Sequence, residues 1–190
     1  IEVADPLAAL QRLAAEARTA WAGEGGRTVV AITGSNGKTI VKEMLVAALG
    51  QSRRVGASPL SFNSQLGVAL SLLQLDADDE IAVIECGISL PGEMARLGAM
   101  VRPDLMIWTN VGSAHIEGLG DRAGIVREKK ILADFLTPGG FCAVPSEQSE
   151  ARALDGGGAR RMHRPELRRD KKRTDNEGNH HTGTREDRAR

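Results

Sequence analysis

Short apolar runs alternate with amphipathic stretches from residue 28 to about residue 144. TVVAIT (Thr28–Thr33), EIAVIE (Glu80–Glu85), DLMIWT (Asp104–Thr109) and FCAV (Phe141–Val144) are apolar on both alternating faces, as buried strands require, and RRVGAS is a shorter candidate. Between them, Lys38–Leu49, Ser64–Leu75, Pro91–Met100 and Ala123–Leu136 carry apolar residues at helical spacing. A further helix precedes the first strand: Asp5 and Pro6 are a capping acceptor and an N1 proline, and Gly23 stops the run. Strands alternating with helices predict an α/β fold, a mostly parallel sheet covered by helices.

The pattern ends near Glu150. Residues 151–190 are charged and nearly devoid of apolar side chains, so they bury too little to offset their ordering entropy and are expected to be a disordered tail. The expected organisation is a helix over 1–27 leading into the domain, an α/β domain over 28–150 and the tail over 151–190.

The 190 residues carry 25 Lys/Arg and 25 Asp/Glu, a formal net charge of zero. The balance hides a split: 13 basic against 18 acidic residues through Glu150, and 12 against 7 beyond it. No nucleic-acid partner is expected, since no aromatic residues interleave with the basic ones in the tail. No run approaches a membrane span, and a cytoplasmic location is expected. Cys86 and Cys142 lie in apolar strands without metal spacing and read as reduced core residues. His180 and His181 read as solvated tail histidines.

The chemistry begins at TGSNGKT, Thr33–Thr39. A strand, a glycine turn and a helix opening on Lys-Thr place amide groups and a helix N-terminus around one point, which is an anion site. Gly34, Ser35, Asn36 and Gly37 would form the cradle, Lys38 would reach terminal phosphates, and Thr39 would meet magnesium through its hydroxyl. Parallel-sheet sites form beyond the carboxyl ends of strands. Glu85 ends one strand, and Asn110 and His115 follow another. Glu85, His115 and Thr39 make a mixed ligand set for Mg²⁺, although His115 also reads as a solvent-facing loop histidine.

The loop is two residues shorter than GxxxxGKT, and in that form it resembles the loop of the Mur ligases, ATP-dependent enzymes of peptidoglycan precursor synthesis. VVAITGSNGKTIVKEML, SFNSQLGVALSLL, IECGISLPGEMARL and TNVGSAHIEGLG occur in the family's order, covering about Val29 to Phe141, and Val3–Leu13 resembles the linker into its central domain. VKEML leans to the member that adds D-alanyl-D-alanine. The wording at Phe62–Gly67 and Glu85–Met94 is similar to a form fused to alanine racemase, although no part of the chain resembles a racemase.

The resemblance implies an amide-forming ligase. ATP phosphorylates the terminal carboxylate of UDP-N-acetylmuramoyl-tripeptide, and the amine of D-alanyl-D-alanine displaces phosphate from the acyl phosphate. It implies two Mg²⁺ ions, with Glu85 and His115 as metal contacts. Lys38, His115 and Lys129 carry catalytic roles, Asn110 contacts nucleotide, and Asn63 contacts substrate or supports its loop. In the family a lysine at the place of Lys129 is carbamylated and helps organise the second metal. Lys130 is its immediate neighbour, and from the residues alone Lys129 is simply a helical lysine. A monomer is expected.

The family has three domains and the resemblance covers the middle one. After VPSE the Arg-rich segment replaces the expected continuation of the sheet, in the manner of a frame change or truncated gene. The alternatives to a working ligase are a nucleotide-binding P-loop module and an inactive fragment, and no turnover is expected from residues 1–190 alone.

Overall fold

A computed structural model describes residues 2–23, 26–112, 116–145 and 160–161. Its core is a sheet in which all described strand pairs are parallel, in the order β2-β3-β1-β4-β5-β6. The strands are β1 (Thr28–Thr33), β2 (Val55–Ala57), β3 (Ile81–Glu85), β4 (Leu105–Trp108), β5 (Phe141–Ala143) and β6 (Arg160–Arg161). The helices are α1 (Pro6–Ala22), α2 (Lys38–Leu49), α3 (Gln65–Leu73), α4 (Glu93–Val101), α5 (Ile116–Leu119) and α6 (Arg122–Lys130).

The ends of α1 fall where its punctuation places them. The Asp5 carboxylate accepts from the Ala8 amide at 3.0 Å, Pro6 opens the helix, and Gly23 closes it at a positive φ of 54°. The stretch Ala123–Leu136 is shorter as an α-helix than its pattern predicts. It runs as α6 and then tightens into a 3-10 helix over Ile131–Phe135, which packs on α4. Close approach explains the packing limit: a Cβ on Gly98 of α4 would meet the Phe135 ring at 2.3 Å. Helix α4 begins at Glu93 rather than Pro91, and the four-residue α5 was not foreseen.

The two faces of the sheet are covered unequally. Helices α1, α3, α4 and α6 bury one face around Val29, Ala31, Ala82, Ile84, Met106 and Trp108. On the other face, α2 lies over Val30, Ile32 and Val83. Leu105 and Ile107 of β4 point to that second face and are only half-buried, because α2 covers the β1–β3 side.

Two polar anchors tie the layers together. Arg18, buried in α1, donates from Nε to Val101 O at 2.9 Å and from Nη2 to Arg102 O, satisfying the carbonyls at the end of α4. Asp104 accepts from the Val29 amide at 2.8 Å and from Thr137 Oγ1 at 2.6 Å, which sets the start of β4 beside β1.

Within the stretch expected to be a tail, Arg160 and Arg161 pair with Phe141 and Cys142 as β6, so residues 160–161 depart from that expectation. The rest of the tail, including His180 and His181, lies outside the described residues. Cys86 and Cys142 are free and buried, as expected, and burial pushes both thiols up to about 12. No helix among the described residues is long and apolar enough to cross a membrane.

Candidate active site at the carboxyl ends of the strands

Strand order reverses around β1: the chain visits β2 and β3 on one side before crossing to β4 on the other. The crevice at the carboxyl ends of β1, β3 and β4 is where such a sheet binds ligands. Residues 34–37 leave β1 there, and α2 starts at Lys38.

Two glycines give the loop its shape. Gly34 has φ 143°, and a Cβ on it would stand 2.0 Å from Thr109 Oγ1. Gly37, at φ 77°, is the N-cap of α2, and no side chain caps the helix. Its first amides therefore face the loop mouth, where the positive end of the helix dipole favours an anion. Space above Gly37 is open.

The β4 side braces the loop. Asn110 Oδ1 accepts from the Asn36 amide at 2.9 Å and Asn110 Nδ2 donates to Asn36 O at 3.1 Å. Thr109 Oγ1 donates to Asn36 O at 2.6 Å, and the Ser35 amide donates to Asn110 O at 3.1 Å. The Ser35 and Asn36 amides are thus engaged within the protein, which leaves the start of α2 as the part of the loop that could meet an anion. Ser35 Oγ is buried without a hydrogen-bond partner among the described residues, a polar atom left at the loop.

The β3 side is a cluster around Glu85, which is 1% exposed. Thr39 Oγ1 donates to Glu85 Oε2 at 2.9 Å, and Asn63 Nδ2 donates to Glu85 Oε1 at 2.7 Å. Close packing holds this pair, since a Cβ on Gly87 would meet Asn63 Oδ1 at 2.7 Å. Asn63 therefore supports the carboxylate directly.

Two lysines converge on one carbonyl. Lys38 Nζ donates to Gly34 O at 3.1 Å, and Lys129 Nζ reaches the same oxygen from α6 at 3.2 Å. Burial lowers the Lys38 pKa, against an opposing pull from Glu85. Burial lowers Lys129 further, to about 8, and the neighbouring Lys38 charge adds to the effect. Lys129 is 1% exposed, whereas its neighbour Lys130 is half-buried. That separates the two adjacent lysines in favour of Lys129, the one the family resemblance picks out.

Thr39, Glu85, Asn63, Lys38, Lys129 and the Asn110-braced loop are thus brought to one crevice. His115 lies outside the described residues, and Glu117 is exposed on α5. Lys42 and Ser58 were missed: Lys42 is buried in α2, and Ser58 Oγ accepts from the Glu85 amide at 3.1 Å. A lysine on an amphipathic helix carries no sequence signal for burial.

The fit to magnesium rests on oxygens. Neighbouring ligands of an octahedral ion with bonds of about 2.05 Å stand about 2.9 Å apart. Thr39 Oγ1 and Glu85 Oε2 have that separation, and both are hard donors. As an ammonium, Lys129 does not fit a cation; only a modified, anionic form would.

A parallel sheet with a short glycine loop, a capless helix N-terminus and a paired hydroxyl and carboxylate defines a P-loop α/β domain. The profile of the Mur ligase middle domain matches residues 32–175, and the chain belongs to the Mur ligase family. It is 40% identical over 140 residues to the UDP-N-acetylmuramoyl-tripeptide–D-alanyl-D-alanine ligase of Bacillus subtilis, covering 74% of this chain and 30% of that one. Among solved structures, MurF from Acinetobacter baumannii superposes with a TM-score of 0.78 at 31% identity, over 85% of this chain and 36% of the other. MurF from Thermotoga maritima in complex with ADP gives a TM-score of 0.73 at 32% identity, over 82% and 36%. The chain spans about a third of the length of the relatives it matches.

Proposed function

We propose that this chain supplies the ATP-binding part of a ligase that joins D-alanyl-D-alanine to UDP-N-acetylmuramoyl-tripeptide. The observation that carries the reading is the pairing of the capless α2 N-terminus with the Thr39–Glu85 oxygen pair. One element suits phosphate and the other a magnesium ion bound to it. The names of the relatives supply the substrates.

Each residue has a role in that reading. The α2 amides and Lys38 hold the terminal phosphates and offset charge on the phosphoryl group as it moves to the tripeptide carboxylate. Thr39 and Glu85 would hold magnesium, which would supply charge neutralisation for the phosphates. Asn63 keeps the Glu85 carboxylate turned toward Thr39, and Asn110 keeps the loop closed on β4. His115 is proposed as a further metal contact, and two ions are proposed from the family resemblance.

Lys129 has a second proposed state. Its lowered pKa leaves a sizeable uncharged fraction near pH 8, and an uncharged amine adds carbon dioxide to give a carbamate and a proton. That change would replace a cation beside Gly34 with an anion able to face metal. A monomeric, cytoplasmic protein completes the proposal.

Calorimetric titration of residues 1–190 with ADP, with and without Mg²⁺, tests the reading. Binding that tightens with Mg²⁺ is expected. Amide formation is not expected from this chain alone, given the greater length of its relatives. Absence of any nucleotide binding by the folded chain would remove the proposal.

A further inference from the structure

Lys42 is among the largest fully buried side chains of the protein, 1% exposed, yet it is a lysine on the helix that opens at the phosphate loop. Its ammonium is turned toward main chain. Nζ donates to Ser58 O at 2.8 Å and to Leu60 O, and the Glu43 carboxylate lies 3.1 Å away. Both carbonyls belong to the segment that leaves edge strand β2, which is only three residues long. That segment also contains a left-handed turn at a residue other than glycine: Leu60 has φ 47° and is 78% exposed. A leucine in this conformation persists only where its surroundings impose it, and no packing of its own side chain does so here.

The same segment builds the setting of Glu85. Ser58 Oγ accepts from the Glu85 amide, Asn63 Nδ2 donates to Glu85 Oε1, and Asn63 O accepts from the Gly87 amide at 2.8 Å. One end of this chain of contacts is Lys42 on α2, and the other is the carboxylate that faces Thr39, also on α2. We infer that Lys42 is a positioning residue: its ammonium holds the 58–63 segment in its strained turn, and through Asn63 it keeps the Glu85 carboxylate presented to Thr39.

This rests on the proposal that Glu85 and Thr39 hold the magnesium that accompanies a nucleotide. The test compares Lys42→Met with the unaltered chain, using ADP with and without Mg²⁺ as the probe. Amide exchange at Gly87, read by NMR, provides a second measurement independent of nucleotide. The expected result is that Lys42→Met binds ADP without Mg²⁺ as the unaltered chain does, but loses about tenfold of the tightening that Mg²⁺ brings. Gly87 exchange should quicken at least tenfold. Adding Leu60→Gly, which removes the cost of the left-handed turn, should recover part of both losses.

An unaltered Mg²⁺ increment together with unaltered Gly87 exchange in Lys42→Met overturns the inference. Equal loss of affinity with and without Mg²⁺ also overturns it, since that marks general damage to the site. If the unaltered chain shows no Mg²⁺ effect at all, the functional proposal fails, and Gly87 exchange alone decides whether Lys42 holds the segment. Should Lys42→Met not fold, Lys42→Gln keeps a donor for one carbonyl and takes its place in the same measurements.

Discussion

The two sides of the phosphate loop are built from different materials. On the β4 side, the Thr109 and Asn110 side chains reach across to grip the main chain of Asn36, and the Asn110 carbonyl accepts from the Ser35 amide. On the β3 side, side chains meet side chains, and a buried carboxylate sits between a hydroxyl and an amide. The first arrangement carries no net charge and sets shape. The second places one carboxylate at a chosen point, where the proposed magnesium ion would be held. The same distinction separates the lysines: Lys42 serves the shape of a segment, while Lys38 and Lys129 bring charge to the loop mouth.

Breaking the shape side should have the largest effect. Gly34→Ala adds a Cβ 2.0 Å from Thr109 Oγ1 at a φ that disfavours any side chain. Overpacking and backbone strain together should cost on the order of 3 kcal/mol. Urea unfolding should report that loss, and ADP binding should vanish in both the presence and absence of Mg²⁺.

Breaking the charge side should leave the fold almost intact. In Glu85→Gln the amide oxygen can still accept from Asn63 while its NH₂ donates to Thr39 Oγ1, so stability should change by about 1 kcal/mol or less. The Mg²⁺-dependent part of ADP affinity should fall about 10- to 100-fold, by analogy with perturbed metal ligands. Retention of the full Mg²⁺ effect would show that the carboxylate serves structure alone.

Asn110→Ala sharpens the contrast. It removes two hydrogen bonds to Asn36, worth about 1–2 kcal/mol together. ADP affinity should drop several-fold, equally with and without Mg²⁺. A drop confined to the Mg²⁺ condition would place Asn110 with the charge side instead.

The last effect concerns protons and is read in stability alone. Lys129 titrates at about 8 in the folded protein and near 10.5 when unfolded. Between those values the unfolded chain holds a proton that the folded one has released, so stability rises with pH across that window, by at most about 1.4 kcal/mol per unit. Below pH 8 both states are protonated and this dependence disappears. Lys129→Met should flatten the rise in thermal melts taken between pH 8 and 10.

Much of this architecture was legible beforehand because local chemistry dictates it. Asp5, Pro6 and Gly23 punctuate α1 through their own hydrogen-bonding and dihedral limits. The doubly apolar runs of β1 and β3 mark strands covered on two faces, and the structure covers both. Thr39, Glu85, Lys38 and Lys129 were picked out by their places beside strand ends and motifs, and they do converge. Two expectations gave way to long-range contacts. The stretch after Lys130 tightens into a 3-10 helix where Phe135 meets Gly98. Arg160–Arg161 extends the sheet although neither residue favours a strand.

The sequence by itself determined the main strands and helices through β5, where the glycine loop falls and which family's motifs surround it. These follow from periodicity, capping and backbone freedom, all of which act over a few residues. Only the tertiary structure decided that the Ser35 and Asn36 amides are spent on Asn110, that the Lys129 ammonium is buried against the Gly34 carbonyl, and that Lys42 is buried. Each of those depends on partners 16 to 95 positions away. Where a charged side chain ends up is settled by the carbonyls and carboxylates that the fold assembles around it, and no local pattern records them.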